Sequence, residues 1–551
     1  MPDPRPRWST RHRRRVGAWT AVPLLLGTAA ACGGGSESAA AGGDLTFAAS
    51  IEPDCLDPQM SGLDVTAVIV RGVFDSLVSM TSDGRFHPWL AQRWTVSKDA
   101  KTYTFDLRPG VKFHDGTPLD ATAVKATLDH AVDPKTKSRY AASLLRSYAG
   151  ARAVDADTVE VRLSQPDASF LQAISTAYLG VQSPKAIREN PAGLCVRPVG
   201  SGPFRFGSWT RNKNITLTAN PGYGWGPATA AHTGPAHLSR LSIAFIPENA
   251  VRLGALTSGQ ADVIDDVPAM YVKNVRASGK LRLLRAEQTG AVFSVFPNTT
   301  HGPLTDERVR LALMRSIDLD RLVQSVYFGQ YKRAWSLLSP STVGYSRATE
   351  RTWPYDPALS AKLLDAAGWT ARDSEGYRTK AGRRLTLRWP YLPKLMRDRR
   401  DVLAQGVQAQ AKQAGIHIDL VGEDGGALAK DILTGSTMDL YSTGFVRAEP
   451  DILRYFFAAA WPPAKGGGNF FHLNDPELDG WLRAATATTD PAARAGYYAK
   501  IQDRILRRGL AIPTYVPARL VGTGAHIKGL GFDANGYPLF YDARATRKGE
   551  S

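Results

Sequence analysis

Asp265-Asp266 and Glu449-Pro450-Asp451 place carboxylates close enough in the chain for general acid–base work. Adjacent acids serve equally well as caps and solvated turns, and no nucleophile motif accompanies either pair. His232 and His237 are the closest imidazoles; they lie in a Gly/Pro-containing stretch that reads as a loop, and a metal there would need further ligands. The chain has no Walker A phosphate loop, no G-x-S-x-G nucleophile elbow and no H-E-x-x-H zinc helix. The expectation is therefore no catalytic residue, no metal and no cofactor. Arg447 stands beside one of the acid pairs. Its guanidinium is a planar fork of donors suited to carboxylate or phosphate, or it pairs internally with Glu449 or Asp451.

The three cysteines carry a different chemistry. Met1 to Arg15 hold six Arg and one Asp, and an apolar run from Val16 to Ala31 follows. A basic start, a short apolar stretch and small residues make a secretory signal, expected over 1–31. Thr28-Ala29-Ala30-Ala31 before Cys32 and Gly33-Gly34-Gly35-Ser36 after it resemble a bacterial lipobox, in which the cysteine thiol is acylated. Residues 32–43 then read as a flexible, lipid-anchored linker. Export places Cys55 and Cys195 in an oxidising compartment, as a disulfide or as two free thiols.

The elements that position these residues alternate between strand and helix. Tyr103, Phe105 and Leu107 alternate with polar residues, and Arg108-Pro109-Gly110 suggests a hairpin into Val111-Lys112-Phe113. Asp120 caps a helix with Val124, Leu128 and Ala131 on one face. Asp356 and Pro357 start another that ends at Gly368, and Leu403, Val407 and Ala411 mark a third, which stops at Gly415 and leads into the strand Ile416, Ile418, Leu420. Mixed α/β layers follow. At 551 residues the chain needs several cores. The net charge is +17, of which the export signal accounts for five units. The one dense basic cluster, Lys394 to Arg400, has no interleaved aromatic residue and reads as a solvated helix face, so nucleic acid is not an expected partner.

Four segments carry a resemblance. Leu107 to Leu119 (LRPGVKFHDGTPL) is similar to the most recognisable stretch of the family 5 extracytoplasmic solute-binding proteins, the peptide-, nickel- and oligosaccharide-binding receptors of ABC importers. Val199-Gly200-Ser201-Gly202-Pro203-Phe204 with Asn220-Pro221-Gly222-Tyr223 resembles that family's G-T-G-P-Y … N-P-x-Y segment. Asp306 to Leu313 with Ile317-Asp318, and Tyr355-Asp356-Pro357 through Trp369, resemble two of its helices.

The resemblance implies an α/β, two-lobed, class II periplasmic-binding-protein fold with a domain inserted in the first lobe. Lobe I would take 44–78, 197–290 and 513–545, the inserted domain 79–196, and lobe II 291–512, with crossovers at 292–296 and 512–516. A Cys55–Cys195 bridge would join the segments where the insertion leaves and rejoins lobe I. Ligand contacts would come from the loop holding Asp54, from the segment holding Phe445, Arg447 and Asp451, and from Tyr515, with Tyr441, Trp335 and Trp461 as candidate cleft walls. Peptide binders of the family place an Asp near the position of Arg447, which turns the expectation toward a chelate, a modified peptide or another anion. The implied function is a monomeric substrate-binding lipoprotein that closes on a small solute or peptide and delivers it to an ABC permease. A sensory lipoprotein would use the same cleft; a secreted hydrolase would need an activated nucleophile that the sequence lacks.

Overall fold

The structure is a computed structural model and describes residues 42–138 and 140–546. Leu45, Phe47, Ala48 and Ala49 are all essentially inaccessible to water, so the strand Gly42–Ala49 is apolar on both faces, as a strand flanked by parallel neighbours requires. It runs parallel to Leu238–Phe245 on one side and Val263–Ile264 on the other. These lie inside a seven-stranded sheet ordered Leu281–Glu287, Ala518–Gly524, Val263–Ile264, Gly42–Ala49, Leu238–Phe245, Asn214–Ala219, Phe204–Thr210.

A second sheet is four-stranded, ordered Lys332–Arg333, Ile512–Val516, Gly290–Pro297, Leu440–Val446. A third, also four-stranded, is built entirely from 91–163. Only Gln288 and Thr289 separate the first sheet's Leu281–Glu287 from the second sheet's Gly290–Pro297, and only Pro517 separates Ile512–Val516 from Ala518–Gly524. The two crossings lie side by side, the Gln288 amide donating to the Pro517 carbonyl at 3.0 Å. The segments 292–296 and 512–516, read from the sequence as the crossovers, are instead neighbours inside the second sheet, with Phe293 opposite Tyr515. The change of sheet falls just outside them, at the residues without strand partners.

The hairpin expected at Arg108-Pro109-Gly110 does not form. Gly110 turns the chain with φ +77°, but Thr102–Leu107 already has a partner on each edge, Ala91–Val96 and Thr158–Leu163. Phe113 therefore closes a local loop, its amide donating to Thr117 (2.9 Å). The caps form as read: Asp120 accepts from the Ala123 amide (2.9 Å) and Asp356 from the Leu359 amide (2.8 Å). Arg400–Gln413 buries Leu403, Val407 and Ala411, ends before Gly415 (φ +85°), and feeds His417–Gly422, parallel to Thr386–Tyr391.

Cys55 and Cys195 form a disulfide with Cα atoms 4.4 Å apart, and the Leu56 amide donates to the Cys195 carbonyl (2.9 Å). Cys32, the expected acylation point, lies outside the described residues. Among the described residues no helix is long and apolar enough to cross a membrane.

Candidate functional site

The strand Leu440–Val446 runs antiparallel to Gly290–Pro297, with Gly290 opposite Val446. Gly290 has φ +101°. A side chain there would place its Cβ 2.3 Å from the Phe445 carbonyl and 2.5 Å from the Arg447 amide nitrogen. Only glycine lets the chain leave the crossing and lie directly under residues 445–447.

Arg447 follows this strand and is buried, with 5% of its surface exposed. Its Nε donates to the Tyr140 hydroxyl (3.1 Å). Its Nη2 is buried and has no hydrogen-bond partner among the described residues. The neighbouring acids do not serve it: Glu449 takes Arg494 (2.5 Å), and Asp451 takes Arg454 through Nε (2.9 and 3.0 Å) and Nη2 (2.7 Å). Burial pushes Asp451 up to about 6 against the pull of Arg454. Each member of the Glu449/Asp451 pair is thus engaged by its own arginine, while Arg447 keeps unspent donor capacity in a dry setting.

The Tyr140 ring lies against the Arg447 guanidinium (5.3 Å) and joins it to further aromatic rings. Tyr140 meets Tyr178 edge-on (4.7 Å between centroids) and Phe445 at 5.9 Å. The Tyr178 hydroxyl donates to the Leu63 carbonyl (3.2 Å), and its acidity is suppressed by burial and by the nearby Tyr537 hydroxyl. Asn535, two residues before Tyr537, accepts the Ala448 amide on its side-chain oxygen (2.9 Å). Elements associated with all three sheets therefore converge around residues 445–448.

An ionic cluster lies close by. Arg519 Nη1 donates to both oxygens of Asp265 (2.8 and 3.0 Å) and Nη2 to Asp64 (3.1 Å), and Arg397 approaches Asp64 at 3.7 Å. Burial pushes the Asp64 carboxyl up, but Arg397 and Arg519 outweigh it and hold the group below the usual range. Asp266 adopts φ +51°, and burial together with the adjacent Asp265 raises it to about 7. Lys394, Arg397 and Arg399 of the Lys394–Arg400 cluster are exposed, as the sequence suggests, but they do not lie on the face of an α-helix. The helix starts only at Arg400, after Asp398 (φ +58°) and Arg399 (φ +55°) turn the chain left-handed. Arg397 then approaches Asp64, and Arg400 donates to the Tyr515 hydroxyl (3.1 Å).

The residues singled out from the sequence fall into four groups. Arg447 and Asp451 meet Trp461 in one place, where Trp461 is held between the guanidinium groups of Arg146 (4.1 Å) and Arg454 (4.7 Å), and Phe445 packs beside Tyr140 and Tyr455 (5.9 and 5.3 Å). Tyr441, Trp335 and Tyr515 sit in aromatic packing. Tyr441 lies against Phe470 (4.8 Å) and Trp335 against Trp353 (5.7 Å), with Arg333 over its ring. Tyr515, fully buried, stacks on Tyr331 (5.4 Å). Asp54 is exposed and accepts from the Ser61 hydroxyl (2.6 Å). His232 and His237 stack 4.0 Å apart, and His232 Nδ1 lies 2.7 Å from Asp542. Sequence reasoning missed Tyr140, Tyr178, Tyr537, Arg519 and Gly290. The Asn535-Gly536 pair, a turn signal just before Tyr537, was the one readable cue.

Two sheets joined by two adjacent crossings, with a third sheet inserted in the first part of the chain, define a bilobal binding protein. Solved structures share this architecture. NikA from Brucella suis, in complex with Fe(III)-EDTA, matches with a TM-score of 0.81 at 24% identity, covering 91% of this chain and 100% of that one. The binding protein AgaA from A. tumefaciens R10, in complex with agropinic acid, matches with a TM-score of 0.74 at 24% identity, covering 92% and 99%. The model of bacterial extracellular solute-binding proteins, family 5 middle, matches residues 85–462. The chain belongs to that family of extracytoplasmic solute-binding proteins, which serve ABC importers. Among its relatives, the glutathione-binding protein GsiB of Pectobacterium atrosepticum is 28% identical over 463 residues, 82% of this chain and 84% of that protein.

Proposed function

We propose that the solute lies between the two main sheets, against Phe445, Tyr140 and Tyr178, and that Arg447 receives an anionic group of it. The observation that carries this reading is the buried Arg447 Nη2, without a partner among the described residues, in a setting where both neighbouring carboxylates are already taken. A buried cation with an unspent donor gains most from a ligand anion that is desolvated with it. A peptide-like solute with a free carboxylate fits, as does a metal chelate whose carboxylates face the protein; relatives and structural neighbours that bind glutathione or Fe(III)-EDTA support both classes.

Lobe I comprises 44–78, 197–290 and 513–545, the inserted domain 79–196, and lobe II 291–512. Closure bends Gln288-Thr289 and Pro517, the short crossings between sheets, and brings Arg397 to Asp64 and Ala448 to Asn535. The mature protein starts at an acylated Cys32, works as a monomer without catalysis, and hands its solute to a membrane permease.

The test is calorimetric titration of ligand-free protein with glutathione, unblocked dipeptides and nickel–histidine, with small-angle scattering on each complex. Saturable binding with compaction by at least one acidic solute is expected. Failure of every acidic solute, with binding of a neutral or cationic one, refutes the anion assignment.

A further inference from the structure

A cavity of about 290 Å3 lies apart from the second sheet: every residue lining it comes from 68–241 or 532–542, and none from 290–516. Of the residues described around Arg447, only Asn535 reaches it. Its walls are largely aromatic, with Trp89, Phe204, Tyr223 and Phe540 buried and Tyr541 half-buried. Thr229 and Ser82, both exposed, mark its mouth.

Two opposite charges stand on this wall without pairing. The Arg71 guanidinium lies over the Trp89 ring (5.0 Å to its centroid) and donates only to neutral oxygens, Ser76 Oγ and the carbonyl of Ser175 (both 2.8 Å); Trp89 and Ser175 both line the cavity. Asp533 accepts the amides of Asn535 and Tyr537 (both 2.9 Å) on Oδ1, and its Oδ2 accepts no hydrogen bond among the described residues. The two groups are nevertheless within electrostatic reach of each other. Desolvation lowers Arg71 from its ordinary value, opposed first by Asp533 and then by Asp75; desolvation raises Asp533, opposed by the Tyr537 amide and then by Arg71. Two further polar groups here are engaged already. The Trp89 indole N–H bonds the Tyr223 hydroxyl, which donates to Asp75 (3.0 Å), and Asp542 holds His232 (2.7 Å) and the Ala231 amide (3.0 Å).

A desolvated charge with only neutral partners gains most from an opposite charge brought beside it. An anion would serve Arg71 and leave Asp533 unpaired, and a cation the reverse; a molecule carrying both charges a few bonds apart serves both. A cavity of roughly 150 Å3 lined by apolar side chains accepts benzene, so one nearly twice that size has room for a ring and a charged head group. We propose that this cavity is a second binding site, separate from the solute cleft, for a free α-amino acid with an aromatic side chain. The ligand carboxylate lies on Arg71, its ammonium on Asp533, and its ring among Trp89, Phe204 and Phe540.

The experiment is calorimetric titration of the full chain with L-phenylalanine, with 3-phenylpropanoate, which lacks the ammonium, and with 2-phenylethylamine, which lacks the carboxylate. Saturable one-to-one binding of L-phenylalanine is expected, at least about tenfold tighter than either analogue, as one charge-assisted hydrogen bond predicts. Arg71→Met should bring L-phenylalanine down to the level at which the wild type binds 2-phenylethylamine. Asp533→Asn, which keeps the Oδ1 acceptor for both amides, should bring it down to the level of 3-phenylpropanoate, and it decides alone should Arg71→Met fail to fold. The proposal is overturned by the absence of saturable L-phenylalanine binding, by equal affinity for the three probes, or by binding that survives Asp533→Asn but disappears in Arg447→Met, which would place the amino acid in the solute cleft.

Discussion

Replacing Arg447 with Met separates a ligand-binding arginine from a structural one, because the two roles predict effects of opposite kind. Met keeps an unbranched apolar stem against Tyr140 and removes the fork. In the ligand-free protein the loss is one hydrogen bond to the Tyr140 hydroxyl, about 1 kcal/mol. Against it stands relief from a buried guanidinium that has no carboxylate partner among the described residues, a replacement that is commonly neutral or stabilising. The net change in unfolding free energy should stay within about 1 kcal/mol. In the complex the loss is larger. The Nη2 donor alone can supply one charge-assisted hydrogen bond of about 1.5–3 kcal/mol, and its removal strands the ligand anion among tyrosine and phenylalanine rings. Weakening by about 2–4 kcal/mol follows, roughly 30-fold to 1,000-fold in Kd. The assay pairs calorimetric titration of glutathione and of its diethyl ester with urea unfolding of the same ligand-free preparations. The wild type should prefer the acid, and Arg447→Met should erase that preference. Acid and ester binding that the substitution leaves unchanged, or a ligand-free protein destabilised by more than about 3 kcal/mol, would refute the assignment.

Three further outcomes follow. Gly290→Ala should weaken solute binding at least tenfold with a smaller loss of global stability, since its Cβ collides with the main chain at Phe445 and Arg447; a titration indistinguishable from wild type would show that residues 445–447 do not depend on this contact. Cys195→Ser opens a loop with a sequence separation of 140, for which the chain-entropy model gives about 5 kcal/mol; chemical unfolding should register most of it, and a change below about 1 kcal/mol would show that the reduced chain holds the loop closed by itself. Asp266 is raised to about 7 in the folded protein, so folding is penalised above that pH, where the folded carboxyl must ionise, and the penalty fades as pH falls toward the ordinary carboxylate range. Asp266→Asn, compatible with the positive φ at this position, should raise the thermal midpoint at pH 8 and raise it clearly less at pH 5; the reverse dependence would sink this reading.

Much of this protein was legible in its residues one after another. Strand and helix alternation, the caps at Asp120 and Asp356 and the stops at Gly368 and Gly415 depend on contacts a few residues apart, which sequence order preserves. So does the segment LRPGVKFHDGTPL, whose resemblance pointed to the family before any geometry was available. The hairpin at Gly110 failed because turn chemistry says nothing about which strand edges are already occupied. The basic cluster at Lys394–Arg400 is exposed as its composition suggests but lies before its helix for a related reason: composition cannot show that two consecutive left-handed residues delay the helix and turn Arg397 toward Asp64, more than 300 positions away.

Arg447 marks the boundary between the two kinds of knowledge. From the sequence, its fork had two outlets, a ligand anion or the acids two and four residues on. Tertiary structure removed the second at Glu449 by bringing Arg494 from 45 residues away, while Asp451 is taken locally by Arg454, three residues on. It also brought Tyr140 onto the guanidinium from 307 residues earlier in the chain, with Tyr178 and then Tyr537 packed behind it. Local interactions determine which elements form, and the sequence alone specified these. Burial and pairing of charge depend on which distant groups arrive at the same place, and only the folded chain decides that.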